Sequence, residues 1–238
     1  MEVLLNKISG YASAITSMYT SKRHLTKEKV NDIYLMEKLN TSTRGAVVTD
    51  LETSETFCKE IEKVCKIGKK HITLLRFIDL EFTVLGIHRG AQDDFDAHAK
   101  RLDNRIIRAS TRLADFQDEK SDWYKDKILT DREVLDIQGV SLPPAIVQDG
   151  ITYVKTANGF IREDLVNRKD VARGLCRLSI PSDFTAKVNI TEFAHIVKLR
   201  DKNSGAAPEL KEMIESLLKQ VEDFCPYFTR EFFYEIDN

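Results

Sequence analysis

Residues 72–85 read ITLLRFIDLEFTVL, and the second half of that stretch decides the fold class. Leu80, Phe82 and Val84 alternate strictly with Asp79, Glu81 and Thr83. That period of two predicts a strand with one buried face. Ile72, Leu74, Phe77 and Ile78, just upstream, follow no single period. Working outward, the periodicity changes to that of helices. Thr26 is placed to cap a helix carrying Val30, Ile33, Tyr34 and Leu39, and Ser54 to cap a second with Phe57, Ile61 and Val64 at i, i+4 and i+7. Gly68 fits the end of that second helix. At the start of the chain, Val3 to Ile8 is a short apolar run suited to a first strand.

Downstream, the spacing predicts a long helix from about Ala91 to Arg108, with Phe95, Leu102, Ile106 and Ala109 on its apolar side. Ser141 to Ile161 reads as a projecting hairpin. Asp149-Gly150 and Asn158-Gly159 are turn dipeptides, and Ile151, Tyr153 and Val154 lie between them. A last helix starts near Pro208, a favoured first-turn residue, and carries Leu210, Met213, Ile214, Leu217, Leu218, Val221 and Phe224 as its stripe. Cys225-Pro226 ends it. With no internal repeat and no linker, residues 1–238 read as one α+β domain with a hairpin insertion around 141–161.

Composition excludes several classes. The 238 residues are 42% hydrophobic and 31% charged, with ten glycines and five prolines, so collagen-like and disordered readings fail. A net charge of −2 argues against a general nucleic-acid binder. No apolar run approaches the roughly 18 residues of a bilayer span. The first seven residues are too short and too acidic for a signal peptide. The four cysteines, Cys58, Cys65, Cys176 and Cys225, form no C-x-x-C pair. Free buried thiols in a reduced, cytoplasmic protein are the expectation.

For chemistry, the basic run His98, Arg101, Arg105, Arg108 and Arg112 stands out. On a helix it is either a solvated face paired with Asp94, Asp96 and Asp103 or an anion site, since the arginine fork suits phosphate oxygens. Ser110 and Thr111 add hydroxyl donors beside Arg112. No cluster has zinc or iron spacing, so no metal is expected, and no phosphate-loop, dinucleotide or nucleophile-elbow motif occurs.

The C-terminal half carries a family resemblance. Asp170-Val171-Ala172-Arg173-Gly174-Leu175-Cys176-Arg177-Leu178 resembles the "REVAR-x-x-LP" stretch of flavin-dependent thymidylate synthases. Arg173 and Arg200 stand 27 positions apart, the interval that family keeps between two substrate-binding arginines. Val188-Asn189 followed by Phe193 to Arg200 is similar to its "VN…NFL-x-LR". Ala206 with Glu209-Leu210 is similar to its "AQ-x-EI", and Cys225-Pro226 to its "CP" ending. Gly68 to Phe82, with His71 and Thr73, resembles its "GH-x-(S/T)-P" segment, although Leu74 replaces proline and Arg76 replaces glutamate. Of the signature R-H-R-x-x-S-x-N-E-x-S-x-R, His98, Asn104 and the closing Ser110-Thr111-Arg112 remain. Ala97 and Ala99 replace the flanking arginines, Arg105 replaces the glutamate, and three extra residues precede Ser110.

The resemblance implies an α/β fold with a mixed sheet and long helices, assembled as a homotetramer. It implies FAD, with NADPH and methylenetetrahydrofolate as co-substrates, methylating C5 of dUMP. A self-contained catalytic constellation is then unnecessary, because the cofactor carries the chemistry. Residue by residue, Ser110, Thr111, Arg112 and Arg173 fall on the nucleotide phosphate with Asp94 in the same set. Arg200 falls against the pyrimidine, and Ser110 and Arg200 on the catalytic positions. His71, Thr73, His98, Asn104, Asn189 and His195 fall on the flavin side, where Lys100 and Arg101 supply charge in place of the lost arginines. Two alternatives stay open: C5 methylation or hydroxymethylation of another pyrimidine deoxynucleotide such as dCMP, and a nucleotide-binding protein without catalysis.

Overall fold

A computed structural model describes residues 1–21, 24–40, 51–98, 105–108, 121–130, 133–134, 143–156, 159–166, 181–200 and 206–236. The alternating segment is a strand, β2 (Asp79–Leu85), at the middle of an antiparallel sheet. It lies between β1 (Glu2–Ser9) and β8 (Phe184–Asn189), and β8 is flanked on its other side by β3 (Arg105–Arg108). Register places Leu5 opposite Phe82 and Phe82 opposite Ala186. Leu80, Phe82, Val84, Phe184, Ala186 and Val188 therefore share one buried face. Phe82 meets Phe95 edge-on at 5.8 Å between ring centroids, and Phe95 stacks on Phe184 at 5.5 Å. Strand β1 buries Val3 and Leu5 but then Ile8, a change of phase. A bulge between Leu5 and Lys7 absorbs the extra residue and turns both halves of the strand toward the core.

Helices α1 (Tyr11–Ser21), α2 (Lys27–Asn40) and α3 (Leu51–Gly68) follow β1, and a 3-10 turn (Ile72–Phe77) leads into β2. Thr26 accepts a hydrogen bond from the Lys29 backbone N–H, as a cap should. Ile33 is buried on α2, but Tyr34 is 46% exposed, because α2 covers the core at its rim. Helix α3 begins at Leu51, so Ser54 lies inside it and not at its start. Phe57, Ile61 and Val64 point inward as their spacing predicts. Gly68 does end α3, but φ there is not positive. A Cβ at that position would lie 2.6 Å from the Leu75 side chain, so close approach is what requires glycine.

The long helix expected over 91–108 is two elements. Helix α4 (Arg89–His98) stops early, and residues 105–108 form β3 instead. The chain there is Arg-Ile-Ile-Arg, and its β-branched pair suits a strand. Strand β8 offers an open edge of backbone donors and acceptors, and β3 takes it, with Ile106 opposite Ala186. The basic run from His98 to Arg112 is thus not one helical face. Ile107 is 80% exposed on the outer edge.

A second antiparallel sheet is formed by β4 (Ile128–Leu129), β7 (Gly159–Arg162), β6 (Ile151–Thr156) and β5 (Ala145–Gln148) in that spatial order. Asp149 and Gly150 join β5 to β6 with φ of 51° and 78°, the two positive values that a tight two-residue hairpin turn demands. Two small clusters fill it, Trp123, Tyr124, Ile128, Ile161 and Leu165 in one and Val134, Ile146, Tyr153 and Phe160 in the other.

Three helices close the chain: α5 (Ile190–Arg200), α6 (Pro208–Phe224) and α7 (Arg230–Glu235). The α6 stripe from Leu210 to Val221 is buried, with Pro208 at its first turn. Gln220 on α6 accepts from the Leu5 N–H at 2.9 Å and donates to the Val3 carbonyl at 2.8 Å, docking the helix on the edge of β1. No helix among the described residues is long and apolar enough to cross a membrane. Truncating the fully buried Phe82 to alanine is expected to destabilise the protein by about 3–5 kcal/mol. A smaller loss in urea titration would show that the sheet face collapses around the cavity.

Candidate active site

Several residues of the expected site fall on well-ordered junctions of the main sheet. His71 precedes the 3-10 turn and Thr73 lies within it, and both are exposed. The His71 side chain makes no capping bond to the turn. That turn packs against β8 and α5, and the Ile190 N–H donates to the Ile78 carbonyl at 2.8 Å. The start of α5 is thereby brought to the end of the turn. His195 and Arg200 are both half-buried on α5, and Asp94 is half-buried on α4. Ser110, Thr111, Arg112, Arg173, Lys100, Arg101 and Asn104 lie outside the described residues, as does the side chain of His98.

Asn189 is 3% exposed and has structural work. Its Oδ1 accepts from Thr191 Oγ1 at 2.6 Å and from the Glu192 N–H at 2.9 Å, so it caps the first turn of α5. Any contact of Asn189 with a ligand therefore comes from a side chain already oriented by that cap.

Arg200 differs. As the last residue of α5 its charge complements the helix C-terminus. Yet its Nε is buried with no hydrogen-bond partner among the described residues. A buried guanidinium N–H without an acceptor costs about 1–3 kcal/mol, and a water or a ligand oxygen can supply the missing acceptor. A pyrimidine carbonyl or a phosphate oxygen has the required chemistry. Exposed His71 and Thr73 on the 3-10 turn and half-buried His195 on α5 are polar groups on two elements that pack together. That arrangement fits a ligand with many acceptors.

One polar cluster went unread in the sequence. His88, between β2 and α4, pairs through its ring Nδ1 with Glu209 on α6, and its backbone N–H donates to the other carboxylate oxygen at 3.0 Å. Both side chains are buried. Glu209 carried a signal, as the glutamate of the "AQ-x-EI"-like segment, but nothing in the local pattern marked His88 as its partner.

Among the described cysteines, Cys65 and Cys225 are poor candidates for nucleophiles. Cys65 and Cys225 are buried, and burial pushes the Cys225 thiol up to about 11 and that of Cys65 further. Both are protonated at neutral pH, and a thiol, unlike a thiolate, is a poor nucleophile.

The fold is an antiparallel sheet packed against helices, and comparison supplies the family. Residues 10–227 match the family described as thymidylate synthase complementing protein. The chain belongs to that family, and its likeness to flavin-dependent thymidylate synthases is established. Thymidylate Synthase X from Helicobacter pylori, solved with FAD and dUMP, superposes with a TM-score of 0.54 at 15% identity, over 98% of this chain and 99% of that one. A second structure of the flavin-dependent enzyme from Helicobacter pylori, also complexed with FAD and dUMP, gives 0.51 at 15% identity over the whole of both chains. A UMP/dUMP methylase, PolB from Streptomyces cacaoi bound with 5-Br dUMP, gives 0.49 at 12% identity over 98% of this chain and 94% of its own. No curated protein matches the sequence. At 15% identity the two Helicobacter pylori superpositions establish a shared fold.

Two outcomes test the site's structural chemistry. Asn189→Ala is expected to lose about 1 kcal/mol of stability, whereas Asn189→Asp keeps the cap and most of the stability. Equal losses in thermal unfolding would show that the amide acts otherwise. Iodoacetamide at pH 8 is expected to leave Cys65 and Cys225 unmodified in the native protein and to label both in urea, read by mass spectrometry. The sign follows from the raised thiol values, which keep the reactive thiolate scarce until the pH approaches 11.

Proposed function

We propose that this chain is a flavin-dependent thymidylate synthase-like enzyme that binds FAD and methylates C5 of dUMP, with methylenetetrahydrofolate as methyl donor and NADPH as reductant. The observation that carries the reading is the buried, unpaired Nε of Arg200, in a chain whose residues 10–227 match the thymidylate synthase complementing protein family. The FAD and dUMP bound to the Helicobacter pylori proteins of the same fold support it.

In this reading Arg200 donates to a pyrimidine carbonyl and holds the ring in one orientation. Its fixed fork stabilises charge on that oxygen as the ring becomes electron-rich. Arg112 and Arg173 grip the phosphate with Ser110 and Thr111, while Asp94 orients the donors around it. Charge-assisted bonds from several directions fix the nucleotide's position, which is the larger part of what such a protein contributes. His71, Thr73, His98, Asn104, Asn189 and His195, with Lys100 and Arg101, line the flavin side. Bound there, FAD supplies the hydride chemistry that no side chain of the protein can perform. The assembly is a homotetramer, residues 1–238 act as one domain, and the compartment is the cytoplasm.

A second reading has a specific observation in its favour. Arg105, which replaces the usual signature glutamate, belongs to a strand paired with Lys187 of β8. A basic residue there suits a different base, so C5 modification of dCMP is the alternative.

Titration calorimetry is expected to show dUMP binding by the wild type, and Arg200→Ala is expected to weaken it about tenfold or more, since charged hydrogen bonds contribute about 1.5–3 kcal/mol each. The purified protein is expected to be yellow and to release tritium from C5-labelled dUMP. Release from dCMP alone transfers the assignment to the second reading, and binding of neither nucleotide overturns both.

A further inference from the structure

We infer that the buried His88–Glu209 pair is a positioning joint that locks helix α4, the turn at 121–127 and the stretch at 181–184 onto helix α6. The consequence for nucleotide turnover rests on the function proposed above.

The geometry is directional. Glu209 uses both carboxylate oxygens on one residue: one accepts the His88 backbone N–H at 3.0 Å and the other pairs with the His88 ring Nδ1. Their side chains are 1% and 3% exposed, so water does not compete for either group. A buried charged pair is no more stabilising than well-packed apolar side chains of similar volume. What the polar pair adds is a fixed angle between α6 and the first residue before α4.

From His88 the chain is tied in three directions. First, Gln92 N–H donates to the His88 carbonyl at 3.1 Å, starting α4, the helix that carries Asp94 and runs to His98. Second, the His88 ring stands edge-on to Tyr124 at 4.8 Å. This holds the turn at 121–127, the next described stretch after Ser110, Thr111 and Arg112, and Trp123 Nε1 donates to Glu212 of α6 at 2.9 Å beside it. Third, His88 forms a bridge with Pro181, while the Ser182 N–H donates to the Ile87 carbonyl at 2.7 Å. Ser182 Oγ donates to Gln92 Oε1 at 3.2 Å, and Asp183 accepts from the Gly86 N–H at 2.6 Å. That stretch follows Arg173 in the chain. Helix α4, the turn at 121–127 and the stretch at 181–184 thus converge on one side-chain pair. An error of about 1 Å in such segments costs about 10²-fold in rate.

The test compares Glu209→Ala, Glu209→Gln and the wild type, each as the full chain. Glutamine keeps an oxygen for the His88 N–H, and its amide can donate to the other imidazole tautomer. Hydrogen exchange of the unliganded protein is expected to show Glu209→Ala loosening residues 86–92, 121–128 and 181–184 together, with 145–156 unchanged. Glu209→Gln is expected to restore protection. kcat/KM for dUMP is expected to fall about 10²-fold in the alanine variant and to recover at least tenfold with glutamine. Loosening confined to α6, or spread evenly over both sheets, overturns the joint. Loosening of the three segments with unchanged kcat/KM overturns its positioning role. If the wild type turns over no nucleotide, the functional reading fails by itself, and the exchange pattern alone decides whether the joint exists.

Discussion

Phe82 reaches both Phe95 and Phe184 only if β2 and β8 keep the register that sets Phe82 opposite Ala186. A slip of one residue would turn Leu80, Phe82 and Val84 to solvent and bring Glu81 and Thr83 against the helices. Much else follows from that constraint. It places Asn189 opposite Asp79, where the end of β8 passes directly into α5, and it leaves the far edge of β8 open for β3. It also forces the bulge in β1, since that strand must meet β2 with Leu5 and Ile8 both inward.

The polar groups around the sheet divide according to what they do for the backbone. Asn189 is committed to the first turn of α5, and Gln220 to the edge of β1. The Nε of Arg200 has no partner among the described residues, although it occupies the same helix as the capped turn. The difference in satisfaction, more than the identity of the residue, separates a donor still open to an acceptor from the groups that build the frame. Family membership then says what kind of ligand such a frame has been selected to hold.

The sequence made local patterns legible and hid distant partnerships. The alternation at Leu80, Phe82 and Val84, the stripe from Leu210 to Val221 and the Asp149-Gly150 turn are each written within a few residues, and each is found where its pattern puts it. Arg105 to Arg108 misled, because a helical spacing of arginines was read where the edge of β8, distant in sequence, captures the segment as a strand. Ser54 looked like a cap because serine caps well, yet α3 starts at Leu51. The family was legible as a resemblance in Arg173, Arg200 and the Ser110-Thr111-Arg112 run. His88 stayed invisible, since a lone histidine announces nothing until the fold brings Glu209 to it.

Gln220 has a consequence beyond docking α6. Strand β1 ends the sheet on one side, and a bare edge of that kind is a template on which a foreign strand can grow. By occupying the Leu5 N–H and the Val3 carbonyl together, one amide side chain imitates the next strand at the place where β1 is most apolar. Stacking of one molecule's sheet upon another through β1 is blocked there by a group that cannot itself propagate the ladder. One side chain thus occupies part of the edge that β1 would otherwise present for strand addition.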